Sequence, residues 1–181
     1  IVTDAIQKQM TPSAQVLVAR NGVVVYQKSF GRCTYDKNAE QVTNNTLYDL
    51  ASLTKILATV PELIDLYDKQ KIKLNASLAT LLPMLSGTNK ADITVKEALS
   101  HYGQLQAWLP FYRKTIDNKT KVLSTDIYNA TLTSKYPTQV AENIFIKENY
   151  RDTILQSIAQ SDLIKQKKYL YSDLSYYLFQ K

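Results

Sequence analysis

The sequence is poor in the residues that build disulfides and metal sites. Its 181 residues include one cysteine, Cys33, and one histidine, His101. A single cysteine excludes an internal disulfide and a cysteine-based zinc site, and a single histidine excludes a site with two histidine ligands. We therefore expect no metal centre in this chain.

Long apolar runs and concentrated charge are also missing. No run of about 18 apolar residues exists, so no membrane span is expected. The opening residues lack the basic and apolar regions of a signal peptide. The net charge is +6, but the basic residues are scattered, and their densest cluster, Lys165, Lys167 and Lys168, is too short for a convincing phosphate-binding face. We therefore expect no nucleic-acid partner.

The composition that remains is that of a soluble globular protein. Hydrophobic residues make up 45% and charged residues 21% of the chain, which is enough apolar material for a sizeable core. Glycine is scarce at 4 residues, whereas tyrosine is abundant at 13. Many rings are therefore expected at half-buried positions where the hydroxyl reaches water or a partner.

Hydrophobic periodicity predicts a β-hairpin followed by a mostly helical region. Two β-branched and apolar runs, 15–20 and 23–30, flank Asn21-Gly22, the dipeptide that favours a type I′ turn between antiparallel strands. Apolar spacing, capping residues and breakers predict helices over 1–10, 50–69, 74–82, 94–100, 142–160 and 172–180. Pro61 predicts a kink or break in the second of them. No later strands that could pair with the hairpin are predicted.

Ser52 and Lys55, three residues apart, are the main candidates for chemistry. On a helix this spacing puts both side chains on one face, with Cβ atoms about 5–6 Å apart. A serine hydroxyl needs a neighbouring base to become a nucleophile, and a lysine can be that base only if its pKa falls. Taken alone, the motif is more simply explained as a helix-capping serine followed by a solvated lysine.

Four landmarks place this motif in a wider pattern. In chain order they are the hairpin with Asn21-Gly22 and Phe30-Gly31, TLYDLASLTK at 46–55, ITVKEALSHYGQL at 93–105 and YSDLSYY at 171–177. In this order they resemble the serine β-lactamase and penicillin-binding-protein superfamily, in particular the class C β-lactamases with their esterase and DD-peptidase relatives. The resemblance covers nearly the whole chain.

The resemblance implies an α+β fold, the α/β sandwich of β-lactamase-like proteins. We expect one partial domain over 1–181, with a helix and hairpin of an antiparallel sheet at 1–50, a helical subdomain at 51–170 and the Y-x-D motif with the start of a helix at 171–181. The family's last motif, a Lys/His-Thr/Ser-Gly strand, does not follow Tyr171. We therefore expect the C-terminal strands to be absent from this chain, and the chain alone to be a weak catalyst.

The resemblance also implies residue roles. Ser52 would be the acylated nucleophile, Lys55 would accept its proton, and Tyr171 would share that proton and protonate the leaving group. Asp173 would contact substrate at a position where the family usually has asparagine. The backbone N–H of Ser52 would form half of an oxyanion hole. No cofactor is required, since the serine supplies the nucleophile.

Two departures from the family pattern matter. A carboxylate at Asp173 would raise the pKa of Lys55 and remove an amide donor, which favours an esterase or peptidase over a β-lactamase. The sequence HYGQL replaces H-t-S-G-L, so His101 is expected to brace a turn and receives no catalytic role.

The stretch around Trp108, Pro110, Phe111 and Tyr112 resembles a subgroup from Bacteroidetes-type bacteria. In that subgroup the serine hydrolase domain often follows a family 3 glycoside hydrolase domain, and the resemblance implies such a domain as a fusion partner. Trp108 and Tyr112 are candidates for an aromatic wall of the substrate cleft. An apolar cluster that packs the helical subdomain explains them equally well, and both interpretations stay open.

Two functions from different classes remain. The first is a serine hydrolase that forms an acyl-enzyme on ester or amide substrates, either small molecules or cell-wall peptides and esters. The second is a non-catalytic module of the same fold that binds cell-wall material or a partner domain. A purely structural helical domain is disfavoured by the ordered landmarks. The resemblance alone implies a periplasmic or cell-surface location.

Overall fold

The Asn21-Gly22 turn joins the first two strands. In the computed structural model, which describes residues 1–181, β1 (Ser13–Arg20) and β2 (Val23–Gly31) pair antiparallel. Asn21 and Gly22 have φ angles of 50° and 79°, and a type I′ turn requires positive values at both positions. The predicted hairpin is therefore confirmed.

Residues 1–51 form the first of two compact units. The helix α1 (Val2–Gln7) precedes the hairpin and is shorter than the predicted helix. At the end of β2, Gly31 has a φ of 78°, and a Cβ atom there would lie 2.2 Å from the carbonyl oxygen of Pro12. Glycine is therefore required for this close approach of two backbone segments.

Residues 52–181 form the second unit, in which most of the regular structure is helical. Its helices are α2 (Val60–Asp68), α3 (Leu78–Leu81), α4 (Val95–Leu99), α5 (Tyr150–Gln160) and α6 (Leu174–Phe179), with 3₁₀ turns at Pro83–Leu85 and Phe111–Thr115. Each helix falls in a predicted segment but is shorter. Local signals set these limits: Thr94 and Glu97 form a capping box that opens α4, and Pro83 follows the end of α3.

A π-helical turn, Lys55–Thr59, leads directly into α2. The N–H of Val60 donates to the carbonyl of Lys55, five residues back, and Pro61 at the start of α2 has no N–H to donate. The kink or break predicted near Pro61 is therefore a π-helical turn, in which a backbone hydrogen bond spans five residues instead of four. The chain stays helical from 53 to 68.

A three-stranded antiparallel sheet forms where no strands were predicted. Its strands β3 (Tyr128–Asn129), β4 (Thr138–Ala141) and β5 (Ile144–Ile146) lie in the order β3-β5-β4. The prediction of a helix from residue 142 was therefore wrong over its first eight residues. Asn143 adopts a φ of 52° between β4 and β5, and the isoleucine and phenylalanine residues of β5 favour an extended backbone. The expected helical subdomain thus also contains a small sheet.

The core of the second unit consists of apolar side chains from its helices and the loops between them. The buried members are Leu78, Leu85, Ile93, Val95, Ala98, Leu105, Leu155, Ile158, Ala159, Leu174 and Leu178. Lys90 is also fully buried, but its ammonium donates to Asn89 Oδ1 at 2.6 Å and to the carbonyl of Ser161, just beyond α5. No helix is both long enough and apolar enough to be a membrane span.

Candidate active site

Ser52 lies at the start of the helical segment 53–68, with its side chain exposed to solvent. It follows Ala51, which adopts a left-handed φ of 43°. The Ala51 N–H donates to Asp49 Oδ1 at 2.8 Å, a local bond that supports this turn. Ser52 is therefore accessible, and its backbone N–H belongs to the first turn of a helix, where N–H groups are free to bind an oxyanion.

Lys55 connects Ser52 to the far end of the chain. Its Nζ donates to Ser52 Oγ at 3.3 Å and to Asp173 Oδ1 at 2.6 Å, and its side chain is only 14% exposed. Burial pushes the pKa of Lys55 down, but the bonds and charges of Asp173 and Tyr171 outweigh burial and raise the pKa above the usual value. Lys55 is therefore a fixed ammonium at neutral pH.

Tyr171 lies against the same ammonium. The Nζ of Lys55 is 5.1 Å from the centroid of the Tyr171 ring and 5.5 Å from that of Tyr176. Interactions with the Ser52 hydroxyl and the Lys55 ammonium lower the pKa of the Tyr171 phenol. The surroundings of Tyr171 therefore shift its phenol towards the deprotonated, basic form.

The loop 101–107 holds the segment that carries Tyr171 and Asp173. The Asp173 N–H donates to the carbonyl of Ala107 at 2.8 Å, and the buried Ser172 donates through Oγ to the carbonyl of Gln106 at 2.6 Å. The Ser172 hydroxyl also accepts the N–H of Leu174 at 3.1 Å, at the start of α6. The position of the tyrosine and the carboxylate is therefore set by hydrogen bonds of the backbone and of the Ser172 hydroxyl, and not by side-chain packing alone.

His101 contacts this group as well, although sequence reasoning gave it no catalytic role. Its ring centroid lies 4.5 Å from that of Tyr171, and its Nδ1 accepts the N–H of Ser172 at 3.1 Å. Burial and the nearby ammonium of Lys55 hold the pKa of His101 below its usual value. The altered H-t-S-G-L pattern was the one signal in the sequence that pointed to this position.

Trp108 and Tyr112 are both exposed, each at 55%. Phe111, between them, packs against the core and lies edge-on to Tyr177 with ring centroids 5.5 Å apart. Trp108 directly follows Ala107, which binds the Asp173 N–H. The predicted substrate-binding role of Trp108 and Tyr112 stays a prediction.

Two further observations concern the rest of the chain. A cavity of about 840 Å³ lies elsewhere, between the end of α3 and α5, and includes none of the residues around Ser52. No group of three or more histidine, cysteine, aspartate or glutamate side chains is placed to hold a metal ion. The group around Ser52 is therefore separate from this cavity, and Ser52 itself is exposed to solvent.

Comparisons with known proteins establish the fold. The family model described as Beta-lactamase matches residues 2–181. No curated protein matches the chain. Among solved structures it is similar to EstCE1, a hydrolase with promiscuous acyltransferase activity, with 20% identity over 98% of this chain and 43% of that one and a TM-score of 0.65. It is also similar to a class C beta lactamase, with 20% identity over 98% of this chain and 40% of that one and a TM-score of 0.64.

A third solved structure, a class C beta-lactamase in complex with cefoxitin, is 27% identical over 66% of this chain and 32% of that one, with a TM-score of 0.52. Two of these solved structures align with 98% of this chain, but the chain spans only about two-fifths of their length. The predicted α+β fold of β-lactamase-like type is confirmed by these likenesses. The individual roles of Ser52, Lys55, Tyr171 and Asp173 stay predictions.

Proposed function

This chain belongs to the beta-lactamase family, and we propose that it is a serine hydrolase that forms an acyl-enzyme at Ser52. The observation that supports the proposal is that two segments far apart in the sequence contact each other at Lys55. Lys55 Nζ lies 3.3 Å from the Ser52 hydroxyl and 2.6 Å from Asp173, a residue 118 positions away. Tyr171 lies against the same lysine with a lowered pKa.

In the proposed reaction, Tyr171 is the base and Lys55 is a fixed cation. The phenolate of Tyr171 takes the proton of Ser52 as Oγ attacks the substrate carbonyl carbon, and the Ser52 N–H binds the resulting oxyanion. The intermediate collapses to acyl-Ser52 when Tyr171 returns the proton to the departing alcohol or amine. Water then repeats the sequence on the acyl group and releases the acid. Lys55 stabilises the phenolate throughout, which suits its raised pKa.

Asp173 favours neutral ester or amide substrates in this proposal. Its carboxylate cannot donate a hydrogen bond to a substrate carbonyl and adds negative charge near Ser52. A substrate that carries a carboxylate, as β-lactams do, is disfavoured by this charge. Esterase or peptidase chemistry on a small molecule or on cell-wall material is therefore the preferred activity, and a periplasmic or cell-surface location goes with it.

A non-catalytic binding module is the second candidate. The ion pair between Lys55 and Asp173 favours it, because this pair keeps the lysine protonated and occupied. In that case Tyr171 would not take the Ser52 proton, and the site would only bind. The preceding glycoside hydrolase domain also stays a prediction.

Covalent labelling separates the two candidates. A fluorophosphonate that transfers its phosphonyl group to an activated serine, with loss of fluoride, should add one group to the chain at Ser52, measured by intact-mass spectrometry and peptide mapping. Ser52→Ala should abolish the adduct. Ser157→Ala is the control, because the half-buried Ser157 bonds only to the Thr153 carbonyl of its own helix. An unlabelled Ser52 at every pH would favour the binding module.

A further inference from the structure

His101 sits at the junction between α4 and the segment that carries Tyr171. It follows the last turn of α4 with a left-handed φ of 62°. The N–H of Tyr102 donates to the carbonyl of Glu97 at 2.8 Å, and the N–H of His101 to that of Ala98 at 3.4 Å. This is the Schellman arrangement that ends many helices, in which the left-handed position is usually a glycine.

The same histidine brackets Tyr171 with two hydrogen bonds. Its carbonyl oxygen accepts the N–H of Leu170 at 3.0 Å, and its Nδ1 accepts the N–H of Ser172 at 3.1 Å. These donors are the residues immediately before and after Tyr171. The backbone on both sides of the tyrosine is therefore fixed by one residue, and only the second bond depends on a side chain.

The ring of His101 also packs against the tyrosines of the site. Its centroid is 4.5 Å from that of Tyr171, 5.7 Å from that of Tyr176 and 6.0 Å from that of Tyr169. The charged groups that act on it are the ammonium of Lys55, which opposes a second positive charge, and the carboxylate of Asp173, which favours one. Because the ring is partly buried, the neutral form is preferred.

We propose that His101 is a positioning residue that holds Tyr171 against Ser52 and Lys55, and that protonation of its ring releases the tyrosine. This inference rests on the proposed role of Tyr171. In the neutral ring Nδ1 is the acceptor and Nε2 carries the proton. A proton added at Nδ1 faces the N–H of Ser172, so two donors oppose each other and the bond is lost. The new charge also repels Lys55. Acid therefore releases the base of the site through His101.

The single histidine makes the first test direct. In the ¹⁵N-labelled chain, NMR should report a neutral ring with Nε2 protonated at pH 8. As pH falls, the amide of Ser172 and the ring of Tyr171 should shift with the same midpoint as His101, below the usual histidine value. A proton on Nδ1 at pH 8, or a Ser172 amide that ignores the His101 titration, would overturn the proposal.

Variants separate positioning from a merely structural role. His101→Gly relieves the left-handed backbone and should melt at or above the parent temperature, yet label Ser52 about tenfold more slowly at pH 8. His101→Asn offers a non-titrating acceptor to Ser172 and tolerates the same backbone, so it should recover most of that rate and lose the acid-side decline governed by His101. Gln70→Gly is the matched control, since Gln70 (φ 56°) holds the same left-handed position after α2 and should leave labelling unchanged.

Labelling of His101→Gly at the parental rate would overturn the positioning role. If the parent chain is not labelled at all, the proposed hydrolase function fails, and the NMR comparison still decides the placement of Tyr171. A Tyr171 ring resonance that moves in His101→Gly and returns in His101→Asn would support the positioning claim, whereas an unmoved resonance would refute it.

Discussion

A carboxylate at position 173 sets the charge of the lysine beside Ser52. The bond between Asp173 and Lys55 is short, 2.6 Å, and the lysine is mostly removed from water. Such a pair strongly favours the charged ammonium, because separating the proton would leave an unpaired carboxylate. In the proposed reaction, a lysine held in this way is a cation that stabilises the Tyr171 phenolate and is not the base.

Asp173→Asn should therefore speed the reaction at Ser52 at neutral pH. Loss of the carboxylate removes a negative charge that raises the pKa of Tyr171 and so opposes the phenolate. Tyr171 then loses its proton at lower pH, while Lys55, which Tyr171 also helps to keep protonated, stays the cation beside it, and fluorophosphonate labelling at pH 7 should rise by about tenfold. Asp65→Asn, which breaks an exposed pair with Lys69, is the control and should change nothing. A slower Asp173→Asn chain would mean that the carboxylate assists the reaction.

Most of these residues could be assigned to one site from the sequence, but only because they match the family pattern. Ser52 and Lys55 share a helix face by spacing, whereas Tyr171 and Asp173 could be joined to them only by resemblance. His101 was expected to brace a turn, but its contacts with Tyr171 and Ser172 were not predicted, because they depend on how the loop 101–107 meets the segment after 169. The hydrophobic periodicity of a sequence does not predict a contact between two irregular segments.

At the scale of secondary-structure elements, much of the structural information lies in the residues at the helix ends. The chain has few glycines, and the left-handed residues after α1, α2 and α4 are Gln9, Gln70 and His101. At the other end of α4, the Thr94–Glu97 capping box is extended by an ion pair between Glu97 and Lys167. This pair joins α4 to the segment that precedes Tyr171.

The capping box should make stability depend on pH below the neutral range. The Lys167 ammonium and the N–H of Thr94 lower the pKa of Glu97 to about 2 from an ordinary value of 4.5. The folded state thus prefers the carboxylate, so its contribution is complete above about pH 4.5 and is lost as pH falls towards 2. Lys167 is exposed and partly screened, so Glu97→Gln should cost about 1 kcal/mol at pH 7.

Urea unfolding at several pH values measures this contribution. The difference between the parent and Glu97→Gln should shrink as pH approaches 2, where both side chains are neutral. Glu62→Gln is the matched control, because Glu62 lies in the first turn of α2, where no side-chain cap bond forms. A pH-independent difference would point to lost packing instead of lost charge.

At the scale of the molecule, the family and the order of the helices were predictable, whereas the small sheet was not. Its strands have two to four residues, too few for an alternating pattern to emerge. The core of the second unit lies among α3, α4, α5 and α6, and residues at its centre are fully enclosed. These contacts hold the helix that follows Asp173.

Leu85→Ala should destabilise the second unit by about 2–5 kcal/mol, since Leu85 is 0% exposed and its loss leaves a cavity. Leu132→Ala removes the same atoms from a side chain that is 64% exposed and should cost less than about 0.5 kcal/mol. The fluorescence of Trp108, the single tryptophan, follows unfolding in urea. Equal effects of the two substitutions would contradict the assigned core.

The span of 118 residues between Lys55 and Asp173 has a consequence for the order of events in time. Closing so long a loop costs entropy before any contact compensates for it, and distant pairs tend to form late when a chain collapses. Ser52 and Lys55 can therefore lie on one helical segment early in refolding, whereas Tyr171 and Asp173 reach them last. A chain just released from denaturant would be chemically silent at Ser52, and the onset of its reactivity would time the final step of folding.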